Sequence, residues 1–175
     1  MINHLNPIKT QLNFTIQGKH SKNILADAFI PDSQNLCPVV IFSHGFKGFK
    51  DWGPFNHIAR FFAEAGFVFV KFNFSYNGTT AEQPMDFTDL DAFGNNNFTK
   101  ELDDLESVID WIHEESAKLN IDLSRISLLG HSRGGGITIL KAAEDDRVKS
   151  IATWAAVADF SRFISSQDIN KWKES

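Results

Sequence analysis

The stretch from Arg125 to Gly136 constrains the fold more than any other part of the chain. It reads Arg-Ile-Ser-Leu-Leu-Gly-His-Ser-Arg-Gly-Gly-Gly. Ile126, Leu128 and Leu129 mark an apolar strand, and Ile137, Ile139, Leu140, Ala142 and Ala143 supply the apolar residues of a helix beyond it. Between them Ser132 must occupy a strand-to-helix turn so sharp that Cβ atoms two positions to either side would collide, hence Gly130 and Gly134. Gly135 and Gly136 extend that tolerance into the first helical turn. Such a turn presents the serine hydroxyl above a parallel sheet, and the helix N-terminus points its unpaired N–H groups and positive dipole end at the same place. This is the sequence form of a nucleophile elbow; the competing reading is a glycine-rich turn closing an ordinary strand-helix unit. Phosphate binding fits poorly, because there is no Gly-Lys-Ser/Thr sequence and the glycine spacing is not that of a dinucleotide fingerprint.

A second segment points the same way from a distance. Pro38 to Ser43 reads as a buried strand built on Val39, Val40, Ile41 and Phe42, and it runs into His44-Gly45-Phe46-Lys47-Gly48. An oxyanion hole in this architecture takes one backbone N–H from the residue after the nucleophile, Arg133, and one from the loop after the third strand, where Phe46 is the natural donor. His44 either hydrogen-bonds within that loop or simply ends the strand.

Together, Ser43-His44-Gly45-Phe46 and Gly130-His131-Ser132-Arg133-Gly134 resemble the α/β-hydrolase superfamily. The longer run from His44 to Gly53 is similar to that of bacterial members near the dienelactone-hydrolase and serine-aminopeptidase-like branch. The resemblance covers roughly residues 12 to 160. It implies an α/β-hydrolase fold with a mostly parallel sheet and helices on both faces. It also implies a small-molecule acyl substrate (an ester, thioester or amide), an acyl-enzyme, a Ser-acid-His triad in that chain order, and no metal or organic cofactor.

The chain departs from that pattern in one respect. His4, His20, His44, His57, His113 and His131 all precede Ser132, whereas the family's histidine follows the last strand. A serine hydroxyl is a poor nucleophile at neutral pH without a base to take its proton. Among the upstream histidines, His131 is expected to pack under the elbow, and His57 and His113 to lie on solvated helix faces. Asp159 follows the strand after the elbow, where some superfamily members carry the triad acid; its other reading is a cap for the segment beginning Phe160-Ser161. In a complete family member two further strand-helix units would follow, so the expectation is a C-terminally truncated fold with those units missing.

The 175 residues, 42% hydrophobic, suit one domain, 1–175, with a substantial core. Leu12 to Gly18 and Ile24 to Pro31 read as leading antiparallel strands, Phe67 to Phe72 as a buried strand, and Val148 to Val157 as the strand after the elbow helix. Phe55, Ile58, Ala59, Phe62 and Ala65 recur at helical spacing, with Gly66 placed to end the helix. From Thr99 to Leu119 an apolar stripe of Leu102, Leu105, Ile109 and Ile112 opposes Asp103, Asp104, Glu106, Asp110, Glu114 and Glu115, which read as a solvated face and not a metal site. The long connection from Asn73 to Phe98 borders the site in such hydrolases. Tyr76, Phe87 and Phe93 in it, and Trp52 after Asp51 in the earlier loop, are therefore candidates for substrate binding or for packing the loops to the body.

Seventeen basic and twenty-two acidic residues give a net charge of −5 without a basic cluster, which argues against nucleic acid as a partner. The single Cys37 offers neither a disulfide nor metal-ligand spacing. No run is long enough to span a membrane and no charged-then-apolar leader occupies Met1 to Thr10, so a cytoplasmic location without membrane contact is expected. Two function classes stay open: a serine hydrolase, and a non-catalytic hydrolase-like domain that forms a homo-oligomer through an exposed sheet edge.

Overall fold

Apolar runs bounded by turn residues become six strands of one sheet. In the computed structural model, which describes residues 7–160, these are β1 (Ile8–Ile16), β2 (Ile24–Pro31), β3 (Cys37–Ser43), β4 (Val68–Asn73), β5 (Ile121–His131) and β6 (Val148–Trp154). Their spatial order is β1-β2-β4-β3-β5-β6. The β1–β2 and β2–β4 pairs are antiparallel, and β4–β3, β3–β5 and β5–β6 are parallel. The helices are α1 (Phe55–Glu64), the short α2 (Leu90–Gly94), α3 (Phe98–Leu119) and α4 (Arg133–Glu144).

The period-two alternation of the strands sorts the core into two layers. Val39, Ile41, Val70, Phe72, Ile126 and Leu128 face α3 and Ile137 of α4. Val40, Phe42, Phe69 and Leu129 face Phe55, Ala59 and Ala63 of α1 on the opposite side. Both faces of β4 are covered, which explains why all but Lys71 and Asn73 of its residues are apolar. Together these features are the expected α/β-hydrolase fold, a mostly parallel sheet with helices on both faces.

Element ends follow local chemistry. Gly66, at φ +95°, terminates α1 in a conformation that L side chains rarely adopt. Asn97 caps α3 by accepting a hydrogen bond from the Lys100 N–H, and Asn120, at φ 57°, closes it in the left-handed region. β6 is shorter than the sequence pattern suggests, because Ala155 turns to φ 48° and takes the chain out of the ladder. The connection after β4 is not wholly irregular: Asp89 accepts from the Ala92 N–H and starts α2.

The solvated face expected on α3 needs one correction. Asp103, Glu106 and Asp110 are half-buried in ion pairs with His20, Lys19 and Arg147. Asp104, however, is 1% exposed and points into the body. A helical stripe specifies direction only to within about one residue, and here the end of β4 lies where solvent was expected.

Among the described residues no helix is long and apolar enough to cross a membrane, and no group of three or more His, Cys, Asp or Glu is placed to hold a metal ion.

Candidate active site

The chain passes from β3 to β4 on one side of the sheet, then returns to place β5 on the other, so β3 and β5 flank the point where the winding reverses. In open α/β sheets the crevice beyond the carboxyl ends of such strands is where ligands bind. Here that crevice is bounded by the loop after Ser43 and the turn after His131.

Ser132 sits between β5 and α4 at φ 53° and ψ −117°. A non-glycine residue there carries strain on the order of 1–3 kcal/mol and persists only where its surroundings over-determine it. They do so through its own peptide groups. The Ser132 N–H donates to the Trp154 carbonyl (2.8 Å), while the Ser132 carbonyl accepts from Gly135 (3.0 Å), Gly136 (3.3 Å) and Val157 (3.0 Å). The turn is thereby fastened to both the helix it begins and the strand beside it.

Glycine is required where the backbones close in. A Cβ on Gly130 would lie 2.5 Å from the Gly134 carbonyl oxygen and 2.6 Å from the Gly135 Cα, and one on Gly134 would strike the carbonyls of Ser43 and His44. The turn therefore packs directly on the end of β3. The Ser132 hydroxyl does not cap α4, and Ser132 borders a cleft of about 120 Å³ whose other lining residues are Gly45, Phe46, Lys47, Gly48, Trp52, Phe55 and His131. Across it, a Cβ on Gly45 would come within 3.1 Å of the Ser132 Cβ, so the loop after β3 touches the Ser132 turn.

Phe46 lines this cleft, and Arg133 directly follows Ser132 in the chain. Arg133 is the first residue of α4, and a helix leaves its first N–H groups without intrahelical acceptors. Its side chain is held by α3 and the loop after β3: Nε donates to Glu101 Oε2 (2.8 Å), and the guanidinium lies 4.5 Å from the Phe98 ring centre and 5.5 Å from that of Phe46. Glu101 is buried, which pushes its carboxyl above the usual range against the pull of Arg133 and the Asn96 amide. Sequence reasoning missed Glu101, because it stands 32 positions before Arg133 in an acidic helix and nothing local distinguishes it.

His44 is buried, and desolvation lowers its imidazole to about 4 despite the hydrogen bond to the Gly45 carbonyl. Nδ1 donates to that carbonyl (2.8 Å), and Nε2 accepts from the Phe74 N–H (3.3 Å). Both nitrogens are engaged, so His44 braces the loop. His131 departs from expectation. It does not pack under the turn but lines the cleft beside Ser132, 6.1 Å from the Phe55 ring.

The remaining candidates divide. Trp52 is half exposed and borders the cleft. Tyr76 does not: its hydroxyl pairs with Ser21 Oγ (2.9 Å), and Lys100 lies 4.1 Å over its ring, which ties it to the β1–β2 turn and α3. Phe87 and Phe93 contact each other, and Phe93 also meets Phe46 (5.6 Å), behind the cleft wall. Asp159 is exposed on the segment after β6, two residues beyond the Val157 N–H that binds Ser132. Ser161, whose segment it was read as capping, lies outside the described residues.

Residues 26–174 match the BD-FAE family. An uncharacterized 31.7 kDa protein from the traX-finO intergenic region of Escherichia coli is 31% identical over 141 residues, covering 81% of this chain and 45% of that protein. The chain spans less than half the length of this relative and of others similar to it. Among solved structures, hypothetical protein PA2218 of Pseudomonas aeruginosa superposes with a TM-score of 0.69 at 21% identity, over 98% of this chain and 51% of that one. A dienelactone hydrolase from Anabaena variabilis superposes with a TM-score of 0.66 at 17% identity, over 87% and 65%. At these identities the structural likeness establishes the fold alone.

Proposed function

Because the chain belongs to the BD-FAE family of α/β hydrolases, we propose that it carries the nucleophile and oxyanion half of a serine hydrolase site. Ser132 is the nucleophile, and the turn around it is a nucleophile elbow. Its Oγ adds to the acyl carbon of an ester, thioester or amide, and the N–H groups of Phe46 and Arg133 take up the negative charge that develops on the carbonyl oxygen. Collapse of the tetrahedral species breaks the bond to the leaving group, which departs with the proton lost by Ser132, and water then releases the acid from the acyl-enzyme.

The observation that carries this reading is the backbone of Ser132. Four hydrogen bonds hold a strained serine at the edge of a cleft bordered by the loop after β3. A structural turn has no need of such a residue. The proton acceptor is the unassigned part: His44 is committed through both nitrogens, and no histidine follows position 131 in the 175 residues. Asp159 is the candidate acid on the segment bound to the elbow, and Trp52 borders the space available to substrate.

Mass spectrometry after exposure to a fluorophosphonate tests the assignment. One phosphonyl adduct on Ser132, absent in Ser132→Ala, is expected. An adduct elsewhere with Ser132 unmodified overturns it.

A second reading rests on β6. It pairs with β5 on one side, forms the edge of the described sheet, and is exposed from Lys149 to Trp154. We propose that two copies pair antiparallel there about Ile151, which sets Val148 opposite Trp154 and Lys149 opposite Thr153, an arrangement free of opposed like charges.

A further inference from the structure

Four charged side chains lie outside the chemistry described above, yet three are among the most buried polar groups of the molecule. Lys50, Lys71 and Asp27 have side-chain exposures of 1%, 0% and 2%, and Asp51 reaches 16%. They form a closed ring. Lys50 Nζ donates to Asp27 Oδ2 (2.8 Å) and Asp51 Oδ2 (2.6 Å), and Lys71 Nζ to Asp27 Oδ2 (2.5 Å) and Asp51 Oδ1 (2.5 Å). Each carboxylate thus bridges both ammonium groups, and Asp27 Oδ1 also accepts from the Asn13 N–H (2.8 Å). Burial by itself would raise the Asp51 carboxyl, but the hydrogen bonds from Lys50 and Lys71 hold it below the usual range.

The origin of the four groups gives the ring its meaning. Asp27 of β2 and Lys71 of β4 are direct cross-strand partners. They lie on the face that packs against α1, one step along from Phe29 and Phe69. Lys50 and Asp51 are consecutive residues in the loop between β3 and α1. The ring therefore stitches that loop to a rigid two-strand platform, four residues from Phe46 and one from Trp52. Further ties point the same way: the Lys50 N–H donates to Asn73 Oδ1 (2.5 Å), and Asn77 Nδ2 to the Gly48 carbonyl (3.2 Å).

Buried ion pairs are weak sources of net stability, since apolar residues of similar volume serve as well or better. What a closed ring supplies is direction: two ammonium groups and two carboxylates, each bonded to both opposite charges, meet in this way only when the loop stands in one place against the two strands. We propose that Asp27, Lys50, Asp51 and Lys71 form a clasp whose role is to position the loop from His44 to Trp52, and with it the Phe46 amide, against Ser132. They are positioning residues. The functional meaning of the clasp rests on the reading of Phe46 as an oxyanion donor, but the positioning itself does not.

Hydrogen-exchange mass spectrometry on the 175-residue chain separates the two. In Asp51→Asn, which removes one charge at the most accessible corner of the ring, exchange across residues 44–53 rises about tenfold while β5 and α4 keep their wild-type protection. Asp51→Glu restores the charge and returns the loop toward wild-type exchange. The rate of fluorophosphonate labelling at Ser132 falls in Asp51→Asn and recovers in Asp51→Glu. Unchanged loop exchange in Asp51→Asn overturns the clasp, as does an increase spread evenly over the sheet. A wild-type chain that takes no label at Ser132 counts against the proposed hydrolase site and leaves the exchange data to judge the clasp.

Discussion

Substituting Gly130 by alanine puts the packing of the turn at Ser132 under direct strain. A Cβ built there stands 2.5 Å from the Gly134 carbonyl oxygen, 2.6 Å from the Gly135 Cα and 2.6 Å from Thr138 Oγ1, whereas real Cβ contacts essentially never fall below 3.0 Å. Two of the three atoms are backbone, so no rotamer change relieves them. The first turn of α4 must retreat from β5 by at least about half an ångström. Overpacking of this kind costs about 1–3 kcal/mol. Reduced entropy of the unfolded chain offsets only about 0.4–1 kcal/mol of it. A net loss of about 1.3 kcal/mol is expected.

Gly94 provides the control, because a Cβ there meets nothing within 4 Å and its φ is not positive. Gly94→Ala should be neutral or stabilising by about 0.5 kcal/mol. In urea titrations followed by circular dichroism, the two midpoints should differ by about 1 M, taking an m-value of roughly 2 kcal/mol/M. Labelling of Ser132 should fall further in Gly130→Ala than the lost stability accounts for, since displacing a reacting group by an ångström costs on the order of a hundredfold. If Gly130→Ala unfolds at or above the midpoint of Gly94→Ala, the close-packing explanation of the glycines is wrong.

Three further outcomes are expected. Burial pushes the Asp104 carboxyl from 3.8 up to about 7, even though it accepts hydrogen bonds from the Ser75 N–H and hydroxyl. From pH 4 to 7 the unfolded chain releases that proton while the folded chain keeps it, so the group makes stability fall with rising pH and level off above 7. The melting temperature of Asp104→Asn relative to wild type should therefore climb between pH 4 and 7. His44, shifted the opposite way, is common to both proteins and cancels; a difference flat with pH would refute the buried neutral carboxyl. Thr138 is fully buried and its hydroxyl has no hydrogen-bond partner. Thr138→Val should accordingly raise the melting temperature by about 2–4 °C, or about 1 kcal/mol, by calorimetry, and a lowered one would show that the hydroxyl is satisfied. Sedimentation velocity should detect self-association that Ile151→Lys weakens, whereas a wild-type monomer at millimolar concentration would dispose of pairing through β6.

The elements that could be read from the sequence are those whose signal is local. The run from Arg125 to Gly136 specifies strand, turn and helix within twelve residues, and both the glycines and the serine have steric reasons confined to that span. The buried strands β3 and β4 announce themselves as the apolar runs over residues 39–42 and 67–70 for the same reason. Direction across the fold could not be read this way. Asp104 belongs to an acidic stripe by spacing, yet it is buried because the end of β4 brings Ser75 against it. Tyr76 lies in the loop that borders the site, yet Ser21 and Lys100 hold it elsewhere.

The sequence by itself determined the tight strand-to-helix turn at Ser132, the loop after β3 and the class of sheet that joins them, because each follows from sterics and burial among neighbours in the chain. Only the tertiary structure decided that Glu101 would anchor Arg133, that His131 would line the cleft, and that Asp27, Lys50, Asp51 and Lys71 would close into a ring. Those partners stand between 1 and 44 positions apart. A charge finds a buried partner across such separations only once the sheet register has set which side chains share a face, and no local pattern encodes that choice.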